Sequence, residues 1–308
     1  MSLRTFKLPT IDFINKRKYA MIFSALLLIV SIISLGLQGL KLGIDFTGGT
    51  LIEVGYQQTA DLQDIRTKLA SANYTGTNVQ YFGSDTEVLI QLEPQATSSA
   101  KLSSSIIQML GDGIDIRRVE FVGPKVGEEL TNDGGLALLY ALIGILIYVA
   151  FRFEYRFALG SITALIHDVI ITLGVFSILQ IEFDLTVLAA ILAVIGYSLN
   201  DTIVVFDRIR ENFLSTRHTE PLPIVNDALN QTLARTLMTS LTTLLVLLAL
   251  FYLGGEVIHS FAGALIIGVV IGTYSSIFVA SSMILALGIS KEDMLPSEKE
   301  KKEIDARP

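Results

Sequence analysis

Six long apolar segments constrain the fold of this chain more than any other feature of its sequence. An α-helix needs about 20 consecutive apolar residues to cross a bilayer, and each segment is close to that length. The composition agrees, because 51% of the 308 residues are hydrophobic and 17% are charged, against about 25% charged in a soluble domain. The sequence predicts an α-helical integral membrane protein. Its predicted transmembrane helices are 19–38, 134–151, 157–179, 184–206, 233–253 and 258–287.

Lysine and arginine residues predict the orientation of these helices. They collect in the N-terminal tail, in the loops near Arg152 and Arg208, and in the C-terminal tail, whereas the alternate loops carry Glu182, Asp184 and Glu256 without a basic residue. The positive-inside rule then places both termini in the cytoplasm. The first apolar segment is long and lacks a small-x-small cleavage site, so an uncleaved anchor is expected. The predicted divisions are a cytoplasmic tail (1–18), a first transmembrane helix (19–38), an extracytoplasmic domain (39–133), a five-helix bundle (134–287) and a second cytoplasmic tail (288–308).

The polar stretch after the first helix is too long for a simple loop. Strand-like alternation and helical spacing follow each other in the order βαββαβ. This order predicts a ferredoxin-like α+β domain, with two helices on one face of a four-stranded antiparallel sheet. Its predicted strands are 44–56, 78–83, 86–93 and 114–123, and its predicted helices are 61–72 and 98–111.

Signatures of catalysis and cofactor binding are missing from the sequence. The chain has no cysteine, no phosphate-binding G-x-x-x-x-G-K-[ST] motif, and no basic stripe with interleaved aromatic residues for nucleic acid. Its three histidines, His167, His218 and His259, lie in different segments and form no ligand pair. The sequence therefore predicts no enzyme, no cofactor, no metal and no nucleic-acid partner.

Ionisable residues inside the predicted transmembrane helices are the candidate functional residues. A charged side chain at the centre of such a helix costs at least about 2.5 to 3.5 kcal/mol, so it persists mainly where it faces protein or water. Asp201 lies six residues before Asp207, or roughly 9 Å deeper along a helix. His167 and Asp168 fall near the middle of the third helix, and Arg235 opens the fifth. A packed bundle could join Asp201 and Arg235 in an ion pair.

Structural explanations for these residues stay open beside the functional ones. An Asp201–Arg235 pair could serve only to hold two helices in register, and Arg235 could snorkel to the cytoplasmic surface. His167 could be an interhelical hydrogen-bonding residue, and the GxxxG formed by Gly268 and Gly272 is expected to pack helices together.

Five ordered motifs span nearly the whole chain. The motifs are LGIDFTGGTLIEV (42–54), VGPKVGEEL (122–130), HDVIITLG (167–174), GYSLNDTIVVFDRIREN (196–212) and QTLARTLMTSLTTL (231–244). They resemble the SecF family of the bacterial Sec protein-export machinery, within the resistance-nodulation-division superfamily. The resemblance implies a SecD partner whose helices complete a pseudo-symmetric bundle, association with the SecYEG channel and YajC, and preproteins as substrates.

The resemblance also implies roles for individual residues. The acid of the "ND" pair is Asp201 and the arginine of the fifth helix is Arg235, and the family implies that both belong to a proton pathway. Four residues are possible supporting members of it: Asn200, His167, Asp168 and Thr239. The implied function is to couple the proton motive force to preprotein translocation across the bacterial inner membrane. No family motif falls between residues 55 and 121, so contacts with a preprotein are not assigned.

Three other functions remain to be distinguished from this one. Half of a small-molecule exporter would use the same bundle, although a domain of about 90 residues is small for binding drugs. An intramembrane aspartyl protease would use Asp168 and Asp201 as a dyad, although its GxGD motif is missing. A structural membrane scaffold would need neither a proton pathway nor a substrate. Copurification with a preprotein channel and a peptide-cleavage assay would separate these functions.

Overall fold

The computed structural model describes residues 10–72, 74, 77–94, 105–106, 108–111, 114–216 and 220–291. Several predicted features lie wholly or partly outside these residues: the first nine residues, part of the helix at 98–111, His218 and the tail after residue 291.

Helices make up most of the described chain. They are α1 (Phe13–Leu37), α2 (Ile44–Thr47), α3 (Leu62–Ser71), α4 (Pro124–Arg152), α5 (Tyr155–Leu179), α6 (Leu185–Ser215), α7 (Pro221–Leu253), α8 (Glu256–Ser275) and α9 (Ser281–Ala286). A π-helical segment, Ser276–Ala280, joins α8 to α9. Within the described residues, six helices are long and apolar enough to cross a membrane, with α8 and α9 counting as one. The predicted number of transmembrane helices is confirmed.

Three of these helices begin at least six residues earlier than the sequence predicts. α1 begins at Phe13 rather than 19, α4 at Pro124 rather than 134, and α7 at Pro221 rather than 233. The predicted starting residues followed the apolar runs, but a helix extends beyond its apolar run as far as its capping residues. The Asp12 side chain accepts a hydrogen bond from Asn15 N at the start of α1, and prolines occupy the first turns of α4 and α7. The last strand of the α+β domain therefore ends at Val122 and α4 begins at Pro124, while the domain boundary at residue 133 stays a prediction.

The segment between α1 and α4 folds around one antiparallel sheet. The strands of the chain are β1 (Lys41–Leu42), β2 (Gly49–Tyr56), β3 (Asn78–Phe82), β4 (Ser84–Leu92), β5 (Ile114–Val122) and β6 (Glu182–Phe183). The sheet order β3-β4-β2-β5 places the first and third strands of the domain at the centre, as in a ferredoxin-like sandwich. α3 and the helical residues between 105 and 110 bury Ile65, Leu69, Ile106 and Leu110 against this sheet. The predicted α+β fold is confirmed.

Three transmembrane helices form the centre of the bundle. Half of the most apolar window is buried in α5, in α6 and in the α8–α9 helix, against 11–17% in α1, α4 and α7. Large aromatic side chains such as Phe157, Phe176 and Phe206 fill the space between the central helices. Several polar side chains on these central helices, such as Ser161, Thr172 and Ser198, are therefore buried inside the bundle.

Candidate functional site

Asp201 is a buried carboxylic acid in the middle of α6. It lies 16 residues after Leu185 and 14 residues before Ser215, the two ends of the helix. Its exposed fraction is 3%, and its Oδ2 atom has no hydrogen-bond partner among the described residues. An ionised carboxylate in this position would be strongly destabilised unless it were paired. The group therefore needs a proton, a water molecule or a partner chain.

Arg235 does not form the ion pair with Asp201 that the sequence suggested. Its side chain is exposed on α7, and no ion pair joins it to Asp201 in the described part of the chain. The helix geometry explains the difference, because successive residues are about 100° apart around a helix and the next residue, Thr236, is the buried one. Arg235 still lies close enough to interact electrostatically with Asp201.

Hydroxyl groups connect α6, α7 and α8 one turn from Asp201. The Tyr197 hydroxyl donates to Ser240 Oγ at 3.3 Å, and Ser240 Oγ lies 2.7 Å from Thr273 Oγ1. α6 and α7 run in opposite directions. One turn from Tyr197 towards the C-terminal end of α6 therefore brings Asp201 on α6 and Thr236 on α7 to the same interface. Thr236 Oγ1 is also buried without a hydrogen-bond partner among the described residues. This layer of the interface thus holds two unsatisfied polar groups.

His167 and Asp168 form a separate polar centre between α5, α6 and α8. Asp168 Oδ2 accepts hydrogen bonds from Ser198 Oγ at 2.5 Å and from Ser275 Oγ at 2.7 Å, and its Oδ1 lies 2.9 Å from His167 Nδ1. The His167 ring stacks on Tyr274 with centroids 6.2 Å apart. Asp168 and His167 are 1% and 2% exposed. The carboxyl group of Asp168 is therefore well satisfied and links the three central helices.

This centre has the properties of interhelical packing rather than of a catalytic dyad. Two carboxyl groups that share one proton must touch each other, but no hydrogen bond joins Asp168 to Asp201 among the described residues. Asp168 instead bonds to Ser198, which lies almost one turn before Asp201 on the buried face of α6. Asp168 and Asp201 therefore form no hydrogen-bonded pair among the described residues, and Asp168 is tied through Ser198 to the turn of α6 that precedes Asp201.

The remaining predicted residues take less central positions. Asn200 is exposed on α6. The Thr239 hydroxyl donates to the backbone oxygens of Arg235 at 3.1 Å and Thr236 at 2.9 Å, so it is satisfied within α7. The structure therefore does not bring Asn200 or Thr239 into hydrogen-bonding contact with Asp201.

Gly268 and Gly272 pack α8 directly against α6, as predicted. A Cβ atom on Gly268 would lie 2.1 Å from Val194 Cγ2, and one on Gly272 would lie 3.0 Å from Ser198 Cβ. The two glycines let the backbone of α8 approach α6 closely, and this approach lets Ser275 and Ser198 reach the same carboxyl group.

Comparisons with known proteins cover nearly the whole chain. The family profile described as "Protein export membrane protein SecD/SecF, C-terminal" matches residues 103–290, and the "SecD/SecF GG Motif" profile matches residues 33–60. The chain is 54% identical over 306 residues to "Protein translocase subunit SecF" of Vibrio alginolyticus, with 97% of each chain covered. The chain belongs to the SecF family. The corresponding subunit of Pseudomonas aeruginosa is 46% identical over 304 residues, with 98% of this chain and 99% of the relative covered.

A solved structure shows the same fold within a longer SecF-containing chain. The crystal structure of SecDF from Thermus thermophilus, described as a translocon-associated membrane protein, superposes with a TM-score of 0.85 at 37% identity. The match covers 92% of this chain and 40% of the solved chain. SecF membership favours a role in protein export over small-molecule export. The names of the SecF relatives do not address enzymatic activity, so the expectation that the chain catalyses no reaction stays a prediction.

Sequence reasoning missed three hydroxyl residues near the candidate site, namely Ser198, Thr236 and Ser240. Ser198 and Tyr197 lie within one turn of Asp201, and Thr236 and Ser240 are spaced by one turn on α7. Helical spacing therefore contained a signal for a polar face on each helix. It did not show which faces meet, because that depends on how the helices pack.

Proposed function

We propose that this chain is an auxiliary subunit of the Sec protein-export machinery that couples the proton motive force to preprotein translocation. It would act together with SecD, the SecYEG channel and YajC in the bacterial inner membrane. The names of the SecF relatives and the SecDF structure support the partnership with SecD. The match covers 40% of the solved SecDF chain, and SecD would supply the rest of the complex.

The observation that carries the proposal is the unpartnered carboxyl group of Asp201. An ionisable residue inside a membrane is expensive and usually marks an ion or proton pathway. The Oδ2 atom of Asp201 is buried, and the exposed guanidinium of Arg235 is nearby. Burial disfavours the charged form of the carboxyl group, whereas the guanidinium favours it.

Protonation of Asp201 would change the packing between α6 and α7. The charged form is attracted to Arg235 and to water, whereas the neutral form loses that attraction and can remain within the bundle. A helix pair with two arrangements shifts towards the one that the current protonation state favours. Proton passage would in this way drive a movement of α6, and the movement would reach the extracytoplasmic domain that handles the preprotein.

One face of α6 supports the presence of a partner bundle. Ala193, Gly196 and Asn200 are exposed, and they lie on one face at spacings of three and four residues. Lipid is a poor environment for the amide of Asn200 and for the guanidinium of Arg235, whereas small residues allow another helix to approach closely. We infer that a SecD helix covers this face.

Replacing Gly196 with leucine should therefore disrupt binding to SecD. A Cβ atom at Gly196 would meet no atom of its own chain within 4 Å, so the fold of the chain itself can accept the larger side chain. The closely packed partner helix cannot accept it. We expect Gly196→Leu to reduce the amount of SecD that copurifies in mild detergent, with normal membrane insertion.

Gly144 on α4 provides the matched control for this prediction. It is exposed and has equally open surroundings, but it lies on α4 and is not part of the face formed by Ala193, Gly196 and Asn200. Gly144→Leu should leave copurification unchanged. Equal SecD recovery from the Gly196→Leu, Gly144→Leu and unchanged chains would contradict the proposed interface.

The orientation of the chain is tested with fusion reporters. A reporter after Gly83 should be active outside the cytoplasm and one after Arg217 inside it, because the basic loops are expected to remain cytoplasmic. Paired alkaline phosphatase and fluorescent-protein fusions at both positions would measure this. Reversed activities would place the sheet domain in the cytoplasm and exclude its action on an emerging preprotein.

The proposed function itself is tested by reconstitution. Vesicles containing the SecYEG channel, SecD and this chain would receive a fixed amount of ATP and a labelled preprotein. Protection of the preprotein from protease would then be measured with and without an imposed proton gradient. We expect the gradient to increase completed export, and the increase to disappear when this chain is omitted or a proton ionophore is added. Equal export in all four conditions would refute the proposed coupling.

A further inference from the structure

A short segment between α1 and the sheet domain contacts the beginning of α6. This junction segment, residues 41–49, contains β1 and α2. β1 pairs in parallel with β6, which directly precedes α6, so that Lys41 and Leu42 align with Glu182 and Phe183. Gly43 N donates a further hydrogen bond to Phe183 O at 2.9 Å. The backbone of the junction segment is thus joined to the approach to α6.

Asp45 of this segment caps α6 from outside. The first backbone N–H groups of a helix have no partner within it. Asp184, the N-cap residue, accepts a hydrogen bond from Val187 N at 2.8 Å, and Asp45 Oδ2 accepts one from Leu185 N at 3.0 Å. Asp45 is 140 residues away from Leu185 along the chain. The Asp45 side chain therefore makes a tertiary contact with the first residue of α6.

The junction segment also packs tightly against α4. Phe46 stacks on Phe183 with ring centroids 5.8 Å apart, and its backbone oxygen accepts a hydrogen bond from Thr131 Oγ1 at 3.3 Å. A Cβ atom on Gly127 of α4 would lie 2.9 Å from that same oxygen and 2.8 Å from Gly48 N. There is no room for even a methyl group between α4 and the segment, so the two are held together closely.

The other end of the segment continues directly into the sheet. Gly48 and Gly49 have φ angles of +71° and +137°, which glycine adopts far more easily than other residues. A Cβ atom on Gly49 would lie 2.5 Å from Leu92 O of the neighbouring strand β4. β2 begins at Gly49 and lies between β4 and β5. Only a few ordered residues therefore separate the start of α6 from an inner strand of the sheet domain.

We propose that the junction segment transmits movement of α6 to the extracytoplasmic domain, with Asp45 as the positioning residue that keeps the segment attached to the helix. This inference rests on the proposed function, because it assumes that proton passage moves α6. Asp201 lies 16 residues after Leu185 in one continuous helix, or about 24 Å along its axis. A displacement of that helix would reach Asp45, the segment and β2 without crossing a flexible loop.

Variants at Asp45 test whether the hydrogen bond is needed. In the reconstituted export assay, Asp45→Ala should reduce the gradient-dependent increase in export to the level seen without a gradient, while export driven by ATP alone and SecD binding remain. Asp45→Asn keeps an acceptor oxygen and should retain most of the increase. The matched control is Asp12→Ala, which removes a cap from α1 without affecting the segment, and it should retain the whole increase.

A reversible disulfide provides the second test. The chain has no native cysteine, and a Cβ atom on Gly43 would lie 3.4 Å from Asp184 Cβ, close to the 3.5–4.5 Å typical of disulfides. Oxidation of a Gly43→Cys, Asp184→Cys pair would attach the segment to α6 covalently. In the Asp45→Ala background, oxidation should restore the gradient-dependent increase, and reduction should remove it again.

The same cysteine pair covers the case in which Asp45→Ala does not assemble. With Asp45 present, oxidation should leave the increase intact, because the segment and α6 move as one unit. If oxidation blocked the gradient-dependent increase with Asp45 present and reduction restored it, the inference would be overturned. Full stimulation in Asp45→Ala would also overturn it. Absence of any gradient effect with the unchanged chain would refute the proposed function itself, so the two failures can be told apart.

Discussion

Asp201→Asn should abolish the stimulation of export by an imposed proton gradient while leaving membrane insertion and SecD binding intact. Asparagine has nearly the size of a protonated aspartic acid and is neutral, so it can occupy the buried position of Asp201 on α6 without an unpaired charge. Asparagine cannot bind and release a proton, so the α6–α7 interface can no longer alternate between its two arrangements. The expected loss is complete because no second carboxyl group hydrogen-bonds to Asp201 among the described residues.

Asp207→Asn is the matched control on the same helix. Asp207 forms an exposed ion pair with Arg152 at 2.9 Å, and such pairs contribute about 0–1 kcal/mol to stability. The same chemical change six residues further along α6 should therefore keep full stimulation. The measurement is the protease-protected preprotein with and without the gradient at fixed ATP. Undiminished stimulation in Asp201→Asn would reduce Asp201 to a packing residue.

Arg235→Ala separates the two explanations for that arginine. If Arg235 supplies the positive charge that favours ionised Asp201, its removal should disfavour the ionised form and abolish stimulation. If Arg235 only snorkels to the surface, stimulation should persist, because its side chain is exposed and forms no ion pair with Asp201 among the described contacts. The same assay decides between them, with Arg235→Lys as the variant that keeps the charge.

The number of transmembrane helices and the order of the strands could be predicted because both depend on local patterns. Apolar length sets the helices, and alternation sets the strands. The positions of Asp168 and Arg235 could not be predicted in the same way. Asp168 is satisfied by Ser198 and Ser275, which are 30 and 107 residues away, and no local pattern connects these three residues.

The contact between Asp45 and α6 shows the same limit. Glycine pairs of this kind mark a close backbone approach, and the structure places Gly49 against Leu92 of β4 and Gly48 against Pro124 of α4. The sequence predicts a single strand over 44–56 there. A four-residue helix and a two-residue strand are too short to be detected from the periodicity of apolar residues. Its role depends on Phe183 and Leu185, which follow two transmembrane helices later in the chain.

Gly268→Ala should destabilise the complex strongly, although alanine normally favours a helix over glycine by about 1 kcal/mol. The added methyl group would lie 2.1 Å from Val194 Cγ2 and 2.9 Å from Val194 Cβ. Val194 is fully buried, and its β-branched side chain has little rotameric freedom in a helix. α8 must therefore move away from α6, and such overpacking typically costs about 1–3 kcal/mol.

Gly263→Ala on the same helix is the control for this last prediction. Its methyl group would meet Phe251 at 3.4 Å, an ordinary van der Waals distance, so the gain in helix propensity should dominate and the thermal midpoint of the purified complex should stay or rise. Gly268→Ala should lower the midpoint, and Val194→Ala in the same chain should recover part of the loss, because residues in contact do not act additively. Displacement of α8 also moves Ser275 away from Asp168, so Gly268→Ala should weaken gradient-dependent export as well. Equal midpoints for the two glycine variants would show that α6 and α8 do not pack through Gly268.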